Sequence, residues 1–209
     1  SNKYLLPYAF KIFVAYSELD EIKKKFQNKI VNTGNILRNE ILNFVPNKKD
    51  YSKNILNILI LGGSQAAKSF GEILPAIFEK CVNANIKLKI FQQCTPDQNN
   101  KLFKKYTEMK IDFELFNFTN NIINYFSKTD FVITRSGSSI ISELLNCNIP
   151  FVSIPFPYSA DDHQEKNAIY FKNKGYSFYI AEEKMNSDLF PLIKKIYKDK
   201  KILEEIIDN

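Results

Sequence analysis

Three stretches of the chain hold residue types that bind small anions and sugars, each where an apolar run gives way to a helix-like one. The first is Leu61-Gly62-Gly63-Ser64-Gln65. Paired glycines let a backbone pass close to a ligand, and Ser64 and Gln65 can hydrogen-bond to it; the same residues also make an ordinary tight turn. The second is Arg135-Ser136-Gly137-Ser138-Ser139-Ile140-Ile141-Ser142-Glu143, where a strand-like run enters a Gly/Ser turn and passes straight into a helix. N–H groups and the macrodipole at such a helix start attract a diphosphate. Ser138 and Ser139 either help to hold that anion or cap the helix. Glu143, about one turn further on, either accepts hydrogen bonds from both hydroxyls of a ribose or complements the dipole.

The third stretch is Pro155-Phe156-Pro157 followed by Asp161-Asp162-His163-Gln164-Glu165-Lys166-Asn167-Ala168. Gln164 and Asn167 share one helical face and offer amide donors and acceptors suited to sugar hydroxyls. Asp161 or Asp162 reads as an N-cap, and His163, the only histidine, as structural rather than catalytic. The paired aspartates have no evident third ligand, so no metal site is expected.

These turns need elements to hold them. From Asn57 onward β-rich runs alternate with helix-like ones: Ile58 to Leu61, Ser69 to Cys81, Lys87 to Gln92, Asp97 to Met109, Phe113 to Phe116 and Ile122 to Ser127. Phe131 to Thr134, Ile140 to Cys147, Phe151 to Ile154 and Gln164 to Lys174 continue the rhythm. Such alternation predicts βαβ units and an α/β, Rossmann-like parallel sheet with helices on both faces. Ligands bind at the carboxyl ends of such strands, so the loops after Leu61, Phe116, Thr134 and Ile154 are the expected site. Residues 1–44 stand outside the rhythm, with a helix-like Leu19 to Gln27 and a short strand candidate. Pro46 to Asn54 reads as a surface linker.

Composition narrows the classes. The chain has 209 residues, 44% hydrophobic and 25% charged, as in an ordinary soluble globular protein. Three cysteines, Cys81, Cys94 and Cys147, are too few and too scattered for a zinc knuckle, and their odd number argues against a disulfide framework, so a reducing cytoplasm is expected. The apolar stretch from Tyr4 to Tyr16 is interrupted by Lys11 and falls short of the roughly 20 residues of a membrane span. A net charge of +6 suits a nucleotide diphosphate or a membrane surface, whereas the lysines lack the aromatic interleaving of a nucleic-acid platform, so no nucleic acid is expected.

The ordered set Thr33-Gly34-Asn35-Ile36-Leu37-Arg38, Leu61-Gly62-Gly63-Ser64-Gln65, Arg135-Ser136-Gly137, Ser142-Glu143 and Asp162-His163-Gln164, with Asn167-Ala168 beyond, resembles the bacterial glycosyltransferase family that makes the cell-wall precursor lipid II. The opening Asn2-Lys3-Tyr4-Leu5 resembles a stretch near the end of that family's first domain. The resemblance implies a GT-B fold of two Rossmann-like domains, with residues 1–44 ending the first, acceptor-side domain and residues 45–209 forming the second, donor-binding one. It implies transfer of N-acetylglucosamine from UDP-N-acetylglucosamine to lipid I, inverting and free of metal or other cofactor, peripherally at the cytoplasmic face of the inner membrane.

By the same resemblance Glu143 binds the ribose, and Ser64 with Ser138 and Ser139 holds the diphosphate. Arg38 lines the donor cleft near the hinge, Thr119 meets the uracil edge through its backbone, and Gln164 with Asn167 reads the sugar. No catalytic residue is expected within this sequence, because the family's first-domain Gly-rich loop and histidine are not in it; the family's crossing final helix is not found either. Ala66 departs from the family's usual glycine, and Asn120 and Asn121 from its usual acidic residues. Rival readings are another GT-B nucleotide-sugar enzyme such as a UDP-sugar epimerase, the donor subunit of a two-chain transferase, and a non-catalytic nucleotide-binding module. An acceptor assay separates the first two from the preferred reading, and a uridine diphosphate titration separates the third.

Overall fold

The computed structural model describes residues 4–15, 24–46, 54–63 and 68–208. The chain forms two compact units, Ser1–Arg38 and Asn39–Asn209. In the first, strands β1 (Ile12–Val14) and β2 (Ile30–Asn32) pair in parallel. The helix-like reading of Leu19 to Gln27 falls partly outside the described residues; from Lys24 to Lys29 the chain is a 3-10 helix. Lys29 Nζ donates to the carbonyls of Pro7 and Ala9, at 3.0 and 2.8 Å. Among the described residues no helix is long and apolar enough to cross a membrane.

The second unit is the expected α/β layer structure. It opens with the short helix α1 (Asn39–Leu42) and strand β3 (Leu56–Leu61). Helix α2 (Lys68–Asn83), strand β4 (Leu88–Gln93), helix α3 (Asn99–Glu108) and strand β5 (Asp112–Phe116) follow. Then come α4 (Ile122–Phe126), β6 (Phe131–Thr134), α5 (Ser138–Asn146), β7 (Phe151–Ser153) and α6 (His163–Asn173). A short strand β8 (Phe178–Tyr179) and helices α7 (Met185–Lys198) and α8 (Lys201–Ile207), of which the rhythm gave no notice, complete it. Of the linker, residues 47–53 lie outside the described residues.

All pairings in the six-stranded sheet are parallel, in the order β5-β4-β3-β6-β7-β8. The central strands β3, β6 and β7 are buried on both sides, which is why these runs read as largely apolar segments, whereas the edge strand β5 exposes Asp112 and Glu114. Leu56, Ile58 and Ile60 of β3 face a core built with Phe70, Leu74 and Ile77 of α2, Leu189 and Ile193 of α7 and Leu203 of α8. On the opposite face Phe91 meets Tyr125 of α4, ring centroids 5.7 Å apart. The chain runs outward from β3 to β5, then returns to the other side of β3 to lay down β6, β7 and β8. That reversal between β3 and β6 opens a crevice at their carboxyl ends.

Candidate functional site

A cleft of about 480 Å³ lies at this switch point, lined by Gly62, Gly63, Lys68, Ser69, Arg135, Gly137, Ile140, Phe156, Gln164 and Glu182. Its walls are the loops after β3, β6, β7 and β8, three of which carry the motifs of the sequence. The loop after Phe116 contributes no residue to this lining.

The first wall leaves β3 through two glycines with different tasks. Gly62 is buried and donates its N–H to Gln93 Oε1, at 3.1 Å. Gly63 has φ +76° with open space where a Cβ would stand, so glycine is demanded by backbone conformation and not by crowding. Ser64, Gln65 and Ala66 lie outside the described residues. The chain resumes at α2, whose start is braced from the side. Gln98 Nε2 donates to Lys68 O at 2.8 Å, and a Cβ on Gly71 would come within 2.4 Å of that nitrogen.

The second wall runs from Arg135 into α5. Its N-cap position is Gly137, extended at φ −65° and ψ 139°, so Ser138 and Ser139 stand in the first turn and not at the cap. Glycine brings no side-chain oxygen to the first-turn N–H groups, which favours an approaching anion as the partner. Ile140 lines the cleft and Glu143, half-buried, lies one turn along the same face.

The third wall is the loop between β7 and α6. Gln164 lines the cleft, and its Oε1 accepts the Phe156 N–H at 3.0 Å. Asn167 Nδ2 donates to Ser136 O at 3.1 Å, tying α6 to the second wall. Asp162 occupies the N-cap position of α6 but makes no capping bond; the Gln164 N–H goes instead to Ser159 Oγ, at 3.3 Å. Asp161 and Asp162 both take left-handed conformations, at φ 53° and 54°. His163 Nδ1 pairs with the Ala160 carbonyl at 2.7 Å, in an exposed turn. Among the described residues no three His, Cys, Asp or Glu side chains are grouped to hold a metal.

Two candidates remain. Thr119 lies beyond the edge strand β5, where its Oγ1 accepts the Asn121 N–H at 3.0 Å and Asn121 in turn caps α4. Arg38 is the exposed last residue of the first unit.

The feature that motif reading missed is the hub at the floor. Arg135, only 6% exposed, donates through Nη1 to the carbonyls of Ile154 and Pro155, at 3.2 and 3.1 Å, and through Nη2 to Ser69 Oγ, at 2.9 Å. It also pairs with Glu182, which accepts from Ser69 Oγ at 2.9 Å. Its guanidinium lies against Phe70 and Phe156, 4.7 and 5.4 Å from their ring centroids. Desolvation holds the Arg135 pKa below its ordinary value, with Glu182 acting in the opposite sense. The motif signalled Arg135 itself, but nothing local could signal Glu182, far along the chain.

The chain is similar to known proteins in sequence and in fold. The UDP-N-acetylglucosamine--N-acetylmuramyl-(pentapeptide) pyrophosphoryl-undecaprenol N-acetylglucosamine transferase of Pelagibacter ubique is 40% identical over 89% of this chain and 51% of its own length. The protein of the same name from Rickettsia felis is 32% identical over all of this chain and 60% of its own. The chain thus spans little more than half the length of these relatives. Among solved structures, Acinetobacter baumannii MurG superposes with a TM-score of 0.78 at 23% identity, over 99% of this chain and 57% of that one, a likeness of fold. Residues 57–209, from the start of the sheet to the end, match the glycosyltransferase family 28 C-terminal domain, and the chain belongs to that family.

Proposed function

We propose that this chain carries the donor-binding half of a transferase that moves N-acetylglucosamine from UDP-N-acetylglucosamine onto lipid I, forming lipid II. The observation that carries the reading is the cleft between the glycine turn after β3 and the glycine-capped start of α5. Backbone there can approach a diphosphate closely, and the helix start supplies positive potential. The names of the relatives support the donor and the undecaprenol-linked acceptor.

In this reading Ser64, Ser138 and Ser139 hold the diphosphate, Glu143 the ribose, Thr119 the uracil edge, and Gln164 with Asn167 the sugar. Gln164 offers the sugar its amide N–H groups because its oxygen is engaged by Phe156, and Asn167 offers its oxygen because its amide nitrogen serves Ser136. The end of the acceptor-side domain runs to Arg38 and not to residue 44, since α1 belongs to the second unit, and Arg38 lines the donor cleft from there. The acceptor hydroxyl attacks the anomeric carbon, the bond to the diphosphate breaks with inversion, and the α5 start with Arg38 stabilises the departing UDP. The acceptor is bound by the first domain, peripherally at the cytoplasmic face of the inner membrane.

Calorimetric titration tests the reading. UDP-N-acetylglucosamine and UDP are expected to bind, and the adenine and guanine diphosphates to bind much more weakly. Equal affinity for all three bases, or none for any, sinks it.

A further inference from the structure

The cleft proposed for a diphosphate contains a carboxylate, Glu182, which by itself would repel it. Among the described residues, three charged side chains line the cleft: Lys68, Arg135 and Glu182. Arg135 pairs with Glu182, so the lining is left with the single positive charge of Lys68. The same guanidinium meets Ser69 at the start of α2, the Ile154 and Pro155 carbonyls after β7, and the Phe70 and Phe156 rings, while its own N–H is bonded to Leu61 O at 3.3 Å. The start of α2 and the loops after β7 and β8 are therefore all tied to one side chain from the loop after β6.

We propose that Arg135 is a positioning residue of the donor site, tying its walls together and neutralising Glu182 so that the cleft admits a diphosphate. This rests on the donor-binding reading above. Arginine suits the position because its planar fork directs several N–H donors at once, which the single ammonium of lysine does not. Burying two opposite charges is costly unless each is paired and hydrogen-bonded, as both are here. Loss of the cation leaves the carboxylate uncompensated beside the diphosphate and unties the loops. Loss of the carboxylate alone leaves an uncompensated guanidinium that favours an anion.

The test compares UDP with uridine, measured by calorimetry and displacement on the 209-residue chain, with thermal melting to report folding. Uridine carries no phosphate, so a purely structural role weakens both ligands alike. Arg135→Gln is expected to weaken UDP about tenfold and uridine far less, the scale of one charged hydrogen-bond partner. In Arg135→Gln/Glu182→Gln the offending carboxylate is gone, and most of the UDP affinity is expected to return. Glu182→Gln, nearly isosteric and the milder change, is expected to tighten UDP while uridine holds, and serves if Arg135→Gln does not fold. Parallel loss of both ligands with no recovery in the double variant overturns the proposal, as does weakening of both by Glu182→Gln. If the unaltered chain binds neither ligand, the donor-binding reading itself fails and the proposal falls with it.

Discussion

A carboxylate earns a place in a binding site only if removing it changes binding more than folding. Glu143 continues the α5 face that Ile140 turns to the cleft, where a ribose bound beside the helix start would present its hydroxyls. Glu143→Ala is expected to weaken UDP-N-acetylglucosamine by roughly 1 to 3 kcal/mol, the cost of losing a charged hydrogen-bond partner. An unchanged dissociation constant in a folded variant excludes the ribose role. The cysteines illustrate the opposite case, residues whose chemistry the fold suppresses. Burial pushes the Cys81 and Cys147 thiols up to about 12 from 9.0, desolvation being the first cause in both. A folded pKa above the unfolded one contributes stability that is whole below pH 9 and drains away as pH rises towards 12. The expected result is slow alkylation of the native chain at neutral pH and a urea midpoint that falls steadily above pH 9. Native alkylation as fast as that of the unfolded chain contradicts this.

At the scale of elements, the diphosphate site proposed at the start of α5 sets helix stability against ligand binding. Gly137 has an ordinary φ and only the Ile140 Cγ2 at 3.8 Å near its would-be Cβ, so an aspartate fits. Gly137→Asp supplies the missing cap and is expected to stabilise the fold by a few tenths of a kcal/mol. It also fills the anion position with a carboxylate, and UDP affinity is expected to fall about tenfold or more; a variant that is stabilised yet binds UDP normally removes α5 from the diphosphate site. The start of α2 gives a second case. Gly71→Ala gains about 1 kcal/mol of helix propensity. Its methyl displaces the buried Gln98 amide from Lys68 O, at a cost of about 1–3 kcal/mol. The loss wins on this scale, and each net kcal/mol lowers the melting temperature by about 2–4 °C. Gly71→Ala/Gln98→Ala, which clears the collision, is expected to recover part of it; a Gly71→Ala melt above that of the parent contradicts the assignment.

For the whole molecule, the placement of the cleft at the reversal of strand order gives its electrostatics. Loop glycines, a helix start and Lys68 converge there, whereas no metal-holding cluster occurs among the described residues. UDP titrations with excess chelator and with excess magnesium are therefore expected to agree within about twofold, since the helix start provides the positive potential. Binding abolished by chelator and restored by magnesium or manganese refutes this and returns Asp161 and Asp162 to consideration. The amides proposed to read the sugar depend on the same global arrangement: Gln164 and Asn167 are each oriented by a loop from a different strand.

The sequence alone determined the alternation of buried strands and helices, because strands covered on both faces must be continuously apolar and the runs are separated by turn residues. It also located the glycine turn after Leu61, the Gly137 helix start and the Gln164 face, since each rests on local conformation or periodicity. It gave no notice of β8, whose two residues form a strand only by pairing with β7, nor of α7, which is shaped by packing on α2. The strand order, and with it which loops share the cleft, belongs to tertiary structure, because register and neighbour choice depend on long-range packing. So does the ion pair of Arg135 with Glu182: two charges distant in the chain meet only after the sheet has brought β6 and β8 to opposite sides of β7. Local sequence records what each segment can do, while the energy of burying that pair depends on what folding places around it.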